Sequence, residues 1–375
     1  MRIVNIIQCA NLGGMEQSTL ALMLVLKARG HAVELLSLNP LGAMGAQLAE
    51  QAIPAEGLPY RGVGGWRSVG QFRRRLSGRQ SDALIMTGHN LLAMKALGSF
   101  CATRRILSIH FHHSGVKRRW QWRLIYRSAR RRFSAIVFPS DFIRQEAEDI
   151  YPEIRPISHT VGCPISLSDI PSEAERMLSR QRLGLPMQAR VIGNAGWLVP
   201  RKRFDIFLEI ARRIATVDAD AMFVIAGDGP EAGALRLRTV ELGISDRVTW
   251  LGWQRDLRDF FRSLDLMLFN ADWEALGRSP LEALAAGVPV VASVRHGGLS
   301  EILNGENYGP IYADHDIDRM TNVALSALGN RAIANRLVAA GRRRLEQVAS
   351  PEGYADRVFA FLAEERKTGC GRRRQ

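Results

Sequence analysis

Two glutamates, Glu274 and Glu282, stand eight positions apart in the stretch NADWEALGRSPLEALAAGVPVVASVRHGGLSEIL, residues 270–303. A carboxylate accepts hydrogen bonds from neighbouring hydroxyls, and such charge-assisted bonds are about twice as strong as neutral ones. The pair therefore suits a polyhydroxyl ligand approached from two directions. Ser279, Pro280 and Glu282 have the spacing of an N-cap, a first and a third helical residue, which predicts a short helix ending at Gly287. Glu274 is then left on the loop before it. Residues 288–293 read as a buried strand, with His296, Gly297 and Gly298 at its carboxyl end and a new helix opening at Leu299. Glycines there let backbone N–H groups approach an anion, and the positive end of a helix favours phosphate. One segment can thus hold a sugar, a ribose and a diphosphate. A capping box for Glu282 and a tight turn for Gly297–Gly298 are the plainer readings of the same residues.

The elements that must position these groups follow from periodicity. A strand at residues 2–7 leads through Asn11, Leu12, Gly13 and Gly14 into a helix that stops at Gly30. Further strands are predicted near residues 33–38, 83–87, 106–109 and 135–138, with helical stretches between them. Residues 161–186, with GCPISLSDIPSEAE and RLGLP, read as an interdomain connection. A second series of strands follows at 191–195, 222–226, 248–251, 266–269 and 288–292. Alternating β and α segments imply parallel sheets covered on both faces. The expected domains are 1–165 and 166–350, with a helix and basic tail at 351–375 that packs back towards the first domain. Two doubly wound units of this kind put a ligand cleft at the carboxyl ends of their strands.

A chain of 375 residues with 46% hydrophobic and 23% charged residues suits two ordinary globular domains. Cys9, Cys101, Cys163 and Cys370 are scattered without a C-x-x-C pair, so neither a disulfide framework nor a zinc site is indicated and a reducing, cytoplasmic setting fits. MRIVNIIQCA alternates like a buried strand rather than a signal peptide, and no run is long and apolar enough to span a bilayer. The net charge of +14 points to an anionic partner: lipid, nucleic acid or a phosphorylated substrate. The acidic runs at 218–220 and 314–318 lack the glycine and terminal glutamate of a calcium loop, and turn or cap roles explain both. His112 or His113 could pair with His110 on a metal, but their spacing on irregular backbone and the absence of a third convincing ligand argue against it.

Taken together, E-x7-E followed by LEALAAGVPVVAS and HGGLSE resembles the signature of glycosyltransferase family 4, and the resemblance extends over nearly the whole chain. It implies an α/β GT-B fold, two Rossmann-like domains facing a central cleft, and a retaining transfer from a nucleoside diphosphate sugar without a metal or other cofactor. It also implies roles. Glu274 contacts donor-sugar hydroxyls, Glu282 the ribose, and the backbone of Ala275, Leu276 and Gly277 the sugar, with Ala275 standing where the family usually has glycine. In GWLVPRKRFD, Lys202 matches the family's diphosphate lysine. Trp197 takes the place of its arginine, Arg203 that of a glycine, and Arg201 is a substitute cation. Gly297 and Gly298 complete the donor side. AGDGPE, residues 226–231, matches G-x-G-x-x-A only weakly as a dinucleotide loop, since Asp228 would repel a pyrophosphate, and it resembles a run common in the family. Gly13-Gly14-Met15-Glu16 looks like the family's GGxE loop, whose glycines face the diphosphate. His110, at the end of ILSI, is expected near the reacting sugar, with His89 as the second candidate.

These readings converge on a hexosyl or related transferase serving a saccharide or lipid-linked acceptor in polysaccharide, lipopolysaccharide or glycolipid synthesis. A nucleotide-sugar epimerase or phosphorylase on the same fold is the alternative enzyme. A basic nucleic-acid-binding protein has only charge in its favour. The stretch KRRWQWRLIYRSARRRF, residues 117–133, mixes cations with Trp and Tyr as interfacial helices do, and Arg73, Arg74 and Arg75 extend the patch. It predicts peripheral attachment to an anionic membrane on its inner face, the alternative being a solvated helix whose aromatics pack on the sheet.

Overall fold

A computed structural model describes residues 1–10, 13–58, 65–76, 81–97, 102–110, 117–303 and 311–363. The chain divides into two compact units. The first comprises Met1–Phe138, Arg144–Val161 and the chain from Glu352 onward. The second comprises Pro139–Ile143 and Gly162–Pro351.

The first unit is built on seven parallel strands: β1 (Arg2–Ile7), β2 (Ala32–Ser37), β3 (Ala55–Gly57), β4 (Ser81–Thr87), β5 (Ala102–Ser108), β6 (Ala135–Phe138) and β7 (Ser158–Thr160). Their order is β3-β2-β1-β4-β5-β6-β7. Helices cover both faces, so strand residues are apolar in runs rather than in alternation. In β1, for example, all residues from Ile3 to Ile7 are buried. The helix Pro351–Ala363 belongs to this unit, and its Tyr354, Val358 and Leu362 join the same core cluster as Ile3 and Met23. Those residues recur four apart, one face of an α-helix. The tail beyond 363 lies outside the described residues.

The second unit repeats the plan with β8 (Arg190–Ala195), β9 (Ala221–Ala226), β10 (Val248–Gly252), β11 (Leu266–Glu274), β12 (Val290–Gly297) and β13 (Ile311–Tyr312), all parallel and ordered β10-β9-β8-β11-β12-β13. In each sheet the strand order reverses direction once, between β1 and β4 and between β8 and β11. Ligands of doubly wound sheets bind outside the strand carboxyl ends at that reversal.

The stretch expected to be a plain connection contains a helix, Glu173–Arg182. Ser172 caps it by accepting from Glu175 N–H, and Glu175 accepts in return from the Ser172 backbone. Arg180, which is buried, and Arg176 both bind Asp265 ahead of β11. Its prolines and polar residues are therefore the flanks of an element docked on the second unit.

Candidate functional site

In the second unit the reversal between β8 and β11 is where the predicted cations and carboxylate meet. The loop after β8 runs from Gly196 into a single 3-10 turn, Pro200–Lys202, and β11 ends at Glu274. Lys202 Nζ pairs with Glu274 Oε2, the two side chains being only 12% and 13% exposed. Arg201 lies 3.9 Å from the same carboxylate, donates to the Trp273 carbonyl at 3.1 Å and stacks over the Trp273 ring. Burial alone would push the Glu274 carboxyl up. The Lys202 ammonium, then Arg201 and the Gly277 N–H, outweigh it and hold the group below the ordinary carboxylate range. Glu274 is thus the last residue of a strand, not a loop residue. Its pairing with Gly297 carries the β11–β12 ladder five residues past the end predicted at 269.

The glycines near this cluster are required by backbone approach. A Cβ on Gly297 would stand 2.1 Å from the Glu274 carbonyl oxygen, and one on Gly298 would stand 2.6 Å from that of Ala275. The Gly298 N–H already donates to Glu274 O at 3.2 Å, and only a four-residue helix, Leu299–Ile302, follows. Gly227, in AGDGPE, likewise packs on the loop that carries the cations, since its Cβ would lie 1.9 Å from the Gly196 carbonyl oxygen. Trp197, at the place of the family arginine, is 58% exposed on that loop.

The helix after Glu274 starts two residues earlier than expected and is capped differently. It spans Arg278–Ala285, with Gly277 at φ +82° as its N-cap and no side-chain cap. Ser279 instead donates to the Ala195 carbonyl at 3.0 Å, tying the helix to the end of β8. Glu282 lies beyond the first turn, so it cannot close a capping box, and it takes a 2.6 Å bond from Arg278 Nε. A tertiary acceptor for Ser279 has displaced the local pattern. Ala275 and Leu276 are buried, and the Ala275 carbonyl accepts from Ser140. Ser140 had no signal in the sequence, because its role depends on a residue far along the chain.

Arg203 supplies a second ion cluster beside the first. It has φ +44° and ψ +45° where the family has glycine, and it pairs with Asp205 and Asp272. Asp272 also bonds His315, whose other ring nitrogen meets Ser293. Burial lowers the His315 pKa, against the pull of Asp272. Asp218 and Asp316, from the two acidic runs, accept from nearby backbone N–H groups as turn and cap residues do. Among the described residues no group of three or more His, Cys, Asp or Glu is arranged for a metal ion.

In the first unit Gly13 is the N-cap of the helix Gly14–Ala28, and Glu16 sits in its first turn. Glu16 is buried and accepts from the Cys9 thiol at 3.4 Å. Burial raises its pKa, and bonds from the backbone of Glu16, from Cys9 and from the backbone of Gly13 oppose that rise. A carboxylate of the chain thus already faces the N–H groups of Gly13 and Glu16. His110 and His89 lie two residues beyond β5 and β4, not at the strand ends. His110 Nε2 meets Ser108 Oγ at 2.9 Å, and His89 packs on the Trp122 ring. Both line a cavity of about 660 Å³ at the β1–β4 reversal, together with Asn90, Trp120, Gln121 and Leu124. Of these, Asn90 was missed by the sequence reading, and the position rule for doubly wound sheets is the signal that would have found it. His112 and His113 lie outside the described residues.

Comparison with known proteins bears on the whole arrangement. Residues 12–167 match the family model described as Glycosyltransferase Family 4, and residues 175–344 match that described as Glycosyl transferases group 1. The chain belongs to glycosyltransferase family 4. Two similar proteins of Rhizobium meliloti are the lipopolysaccharide core biosynthesis glycosyltransferase LpsE, 29% identical over 188 residues, and the lipopolysaccharide core biosynthesis mannosyltransferase LpsB, 31% identical over 192 residues. These alignments cover 50% and 49% of this chain and 54% of each relative, so the chain spans about half the length of the curated relatives it matches. Anabaena HepE in complex with UDP-glucose superposes with a TM-score of 0.82 at 17% identity, over 97% of this chain and 99% of that one. WaaG, a glycosyltransferase involved in lipopolysaccharide biosynthesis, gives 0.73 at 16% over 96% and 99%. At such identities the likeness is one of fold, and that fold is GT-B.

Proposed function

We propose that this family 4 member transfers a sugar, with retention, from a nucleoside diphosphate sugar to a hydroxyl of a saccharide or lipid-linked acceptor in the synthesis of lipopolysaccharide or a related surface polysaccharide. The observation that carries the reading is the meeting of Lys202, Arg201 and Glu274 at the β8–β11 reversal, within the residues matched by the group 1 model. As the bond from the sugar's anomeric carbon to the phosphate oxygen breaks, negative charge grows on the departing diphosphate. An ammonium and a guanidinium held at that point by the fold offset it once Glu274 has turned to the donor, an effect worth about 3–4 kcal/mol per group. Glu274 exchanges its cation partners for donor hydroxyls, and the acceptor hydroxyl passes its proton to an oxygen of the departing diphosphate as its own oxygen bonds the anomeric carbon. Side-chain cations take the part a divalent ion would otherwise play, so the reaction is read as metal-independent.

The naming of LpsE and LpsB for lipopolysaccharide core biosynthesis supports the pathway class, and the UDP-glucose complex of HepE makes UDP-sugars the first probes. Work at the inner face of an anionic membrane is part of the proposal. Its support is the helix Arg119–Arg132, where Arg123, Arg127 and Arg131 are exposed beside an exposed Trp120. A panel of UDP- and GDP-sugars tests the core of the reading by thermal shift. A true donor at 100 times its Kd stabilises by about 2.7 kcal/mol. Release of free nucleoside diphosphate on adding acceptor should follow. A panel that leaves Tm unmoved throughout would refute it.

A further inference from the structure

The cavity at the β1–β4 reversal of the first unit has a lining unlike that of the donor cluster. Among the described residues that line it there is no carboxylate, and Lys117 is the one formally charged side chain. One part of the wall is polar and held in place. Asn90 caps the helix Leu91–Ala96 through its Oδ1 and donates from Nδ2 to Gln8 Oε1 at 3.2 Å. His110 is oriented by Ser108. The other part is apolar and runs from Leu91, Leu92 and Ile125 out to Trp120 and Leu124. Those last two are 56% and 44% exposed and sit four residues apart, on one side of the helix Arg119–Arg132.

We infer that this cavity is the acceptor pocket and that it takes an amphiphile, with the hydroxyl-bearing head against His110 and Asn90 and an alkyl chain laid along the apolar wall to Trp120 and Leu124. The inference rests on the transferase reading above and specifies its acceptor class. A volume of about 660 Å³ is ample for such a ligand and lies inside the range of about 300–1,000 Å³ usual for small-molecule sites. Here two large apolar side chains stand in water at the mouth of a cavity they line, and covering them is favourable in proportion to the apolar area removed from water. Lys117, on the same rim, is suited to an anionic group on the head.

Isothermal titration of the full chain with octyl β-D-glucopyranoside below its critical micelle concentration, against methyl β-D-glucopyranoside, tests this. The octyl compound should bind at least about tenfold more tightly, since each buried methylene adds affinity, and with a negative heat-capacity change. Leu124→Glu and, separately, Trp120→Ala should each remove most of that advantage. Both side chains are exposed, and the Tm rise on adding a nucleotide sugar shows that the variants are folded. Equal binding of the two glucosides, no binding of either, or an unchanged octyl affinity in both variants would overturn the inference. Failure of every nucleotide sugar to raise Tm would instead strike the transferase reading, and the two glucoside titrations separate these failures.

Discussion

Glu274 carries two duties, and its substitution should reveal both. Glu274→Gln removes the charge that faces Lys202 and Arg201. Turnover should fall about 100-fold or more, because the site loses its carboxylate and its preorganisation together. The fold should not escape unchanged, as it would for a loop residue. A poorly hydrated ammonium left without its partner costs about 1–3 kcal/mol, measurable by urea unfolding without ligand. The pH dependence has a definite sign. The folded carboxyl is held below the ordinary range, so its contribution is fully present above the unfolded value of about 4.3 and is lost as pH falls through the lower folded value. The stability gap between wild type and Glu274→Gln should therefore be flat from about pH 5 to 8 and close below about pH 4. A gap that widens on acidification would contradict the pairing. Because Lys202 and Arg201 take the place of a divalent ion in the proposed reaction, turnover should survive EDTA. Loss on chelation that Mg²⁺ or Mn²⁺ restores would show otherwise.

At the scale of elements, the site depends on how closely loops approach one another at the carboxyl ends of the second sheet. Gly227 packs its backbone on the Gly196 carbonyl, and the Gly227 N–H donates to Gly252 O at 2.8 Å. Gly227→Ala must push the Gly196–Lys202 loop aside. It should cost about 2 kcal/mol or more, at about 2–4 °C of Tm per kcal/mol, and it should raise the KM for the donor along with the loss of stability. Gly233 provides the control, since it lies inside the helix Ala232–Glu241 with open space where a Cβ would go. Gly233→Ala should stabilise by about 0.5–1 kcal/mol and leave KM alone. A Gly227→Ala protein with the Tm and KM of wild type would remove the packing argument. The strands around these loops were legible because a sheet covered on both faces needs continuous apolar runs. The Glu173–Arg182 helix was hidden by its prolines and polar residues, although Ser172 and Glu175 carry a capping-box spacing.

For the whole molecule, a formal charge of +14 is the property that reaches furthest from the site. The helix Arg119–Arg132 divides its composition between two faces: Trp122, Ile125 and Tyr126 are buried, while Trp120, Arg123, Leu124 and Arg127 face solvent. The buried aromatics pack in the core as the solvated-helix reading expects, and the exposed face is the part that the membrane proposal concerns. Co-sedimentation with liposomes should require anionic lipid and fade at high salt. A cation near such a surface is worth about 1 kcal/mol, so the pair Arg123→Gln and Arg127→Gln should weaken binding by about 30-fold at low salt. Equal binding to neutral liposomes would show that the charge is not the cause. Among the described residues no helix is long and apolar enough to cross a membrane.

The sequence by itself determined the two series of parallel strands, the family, and the types of residue at the candidate site, because periodicity and motif spacing are local and Lys202 and Glu274 each sit in a recognisable run. Tertiary structure alone decided what those residues touch. Lys202 and Glu274 are 72 positions apart and meet only because β8 and β11 are neighbours at the sheet's reversal. Ser279 fits an N-cap by spacing, yet it bonds Ala195 across 84 positions, since a helix docked against a strand end can satisfy its hydroxyl better than its own first turn. His89 and His110 follow different strands and share a cavity because β4 and β5 are paired. Spacing along the chain carries a residue's chemistry, but the partner of a side chain is fixed by strand order, which has no local signature.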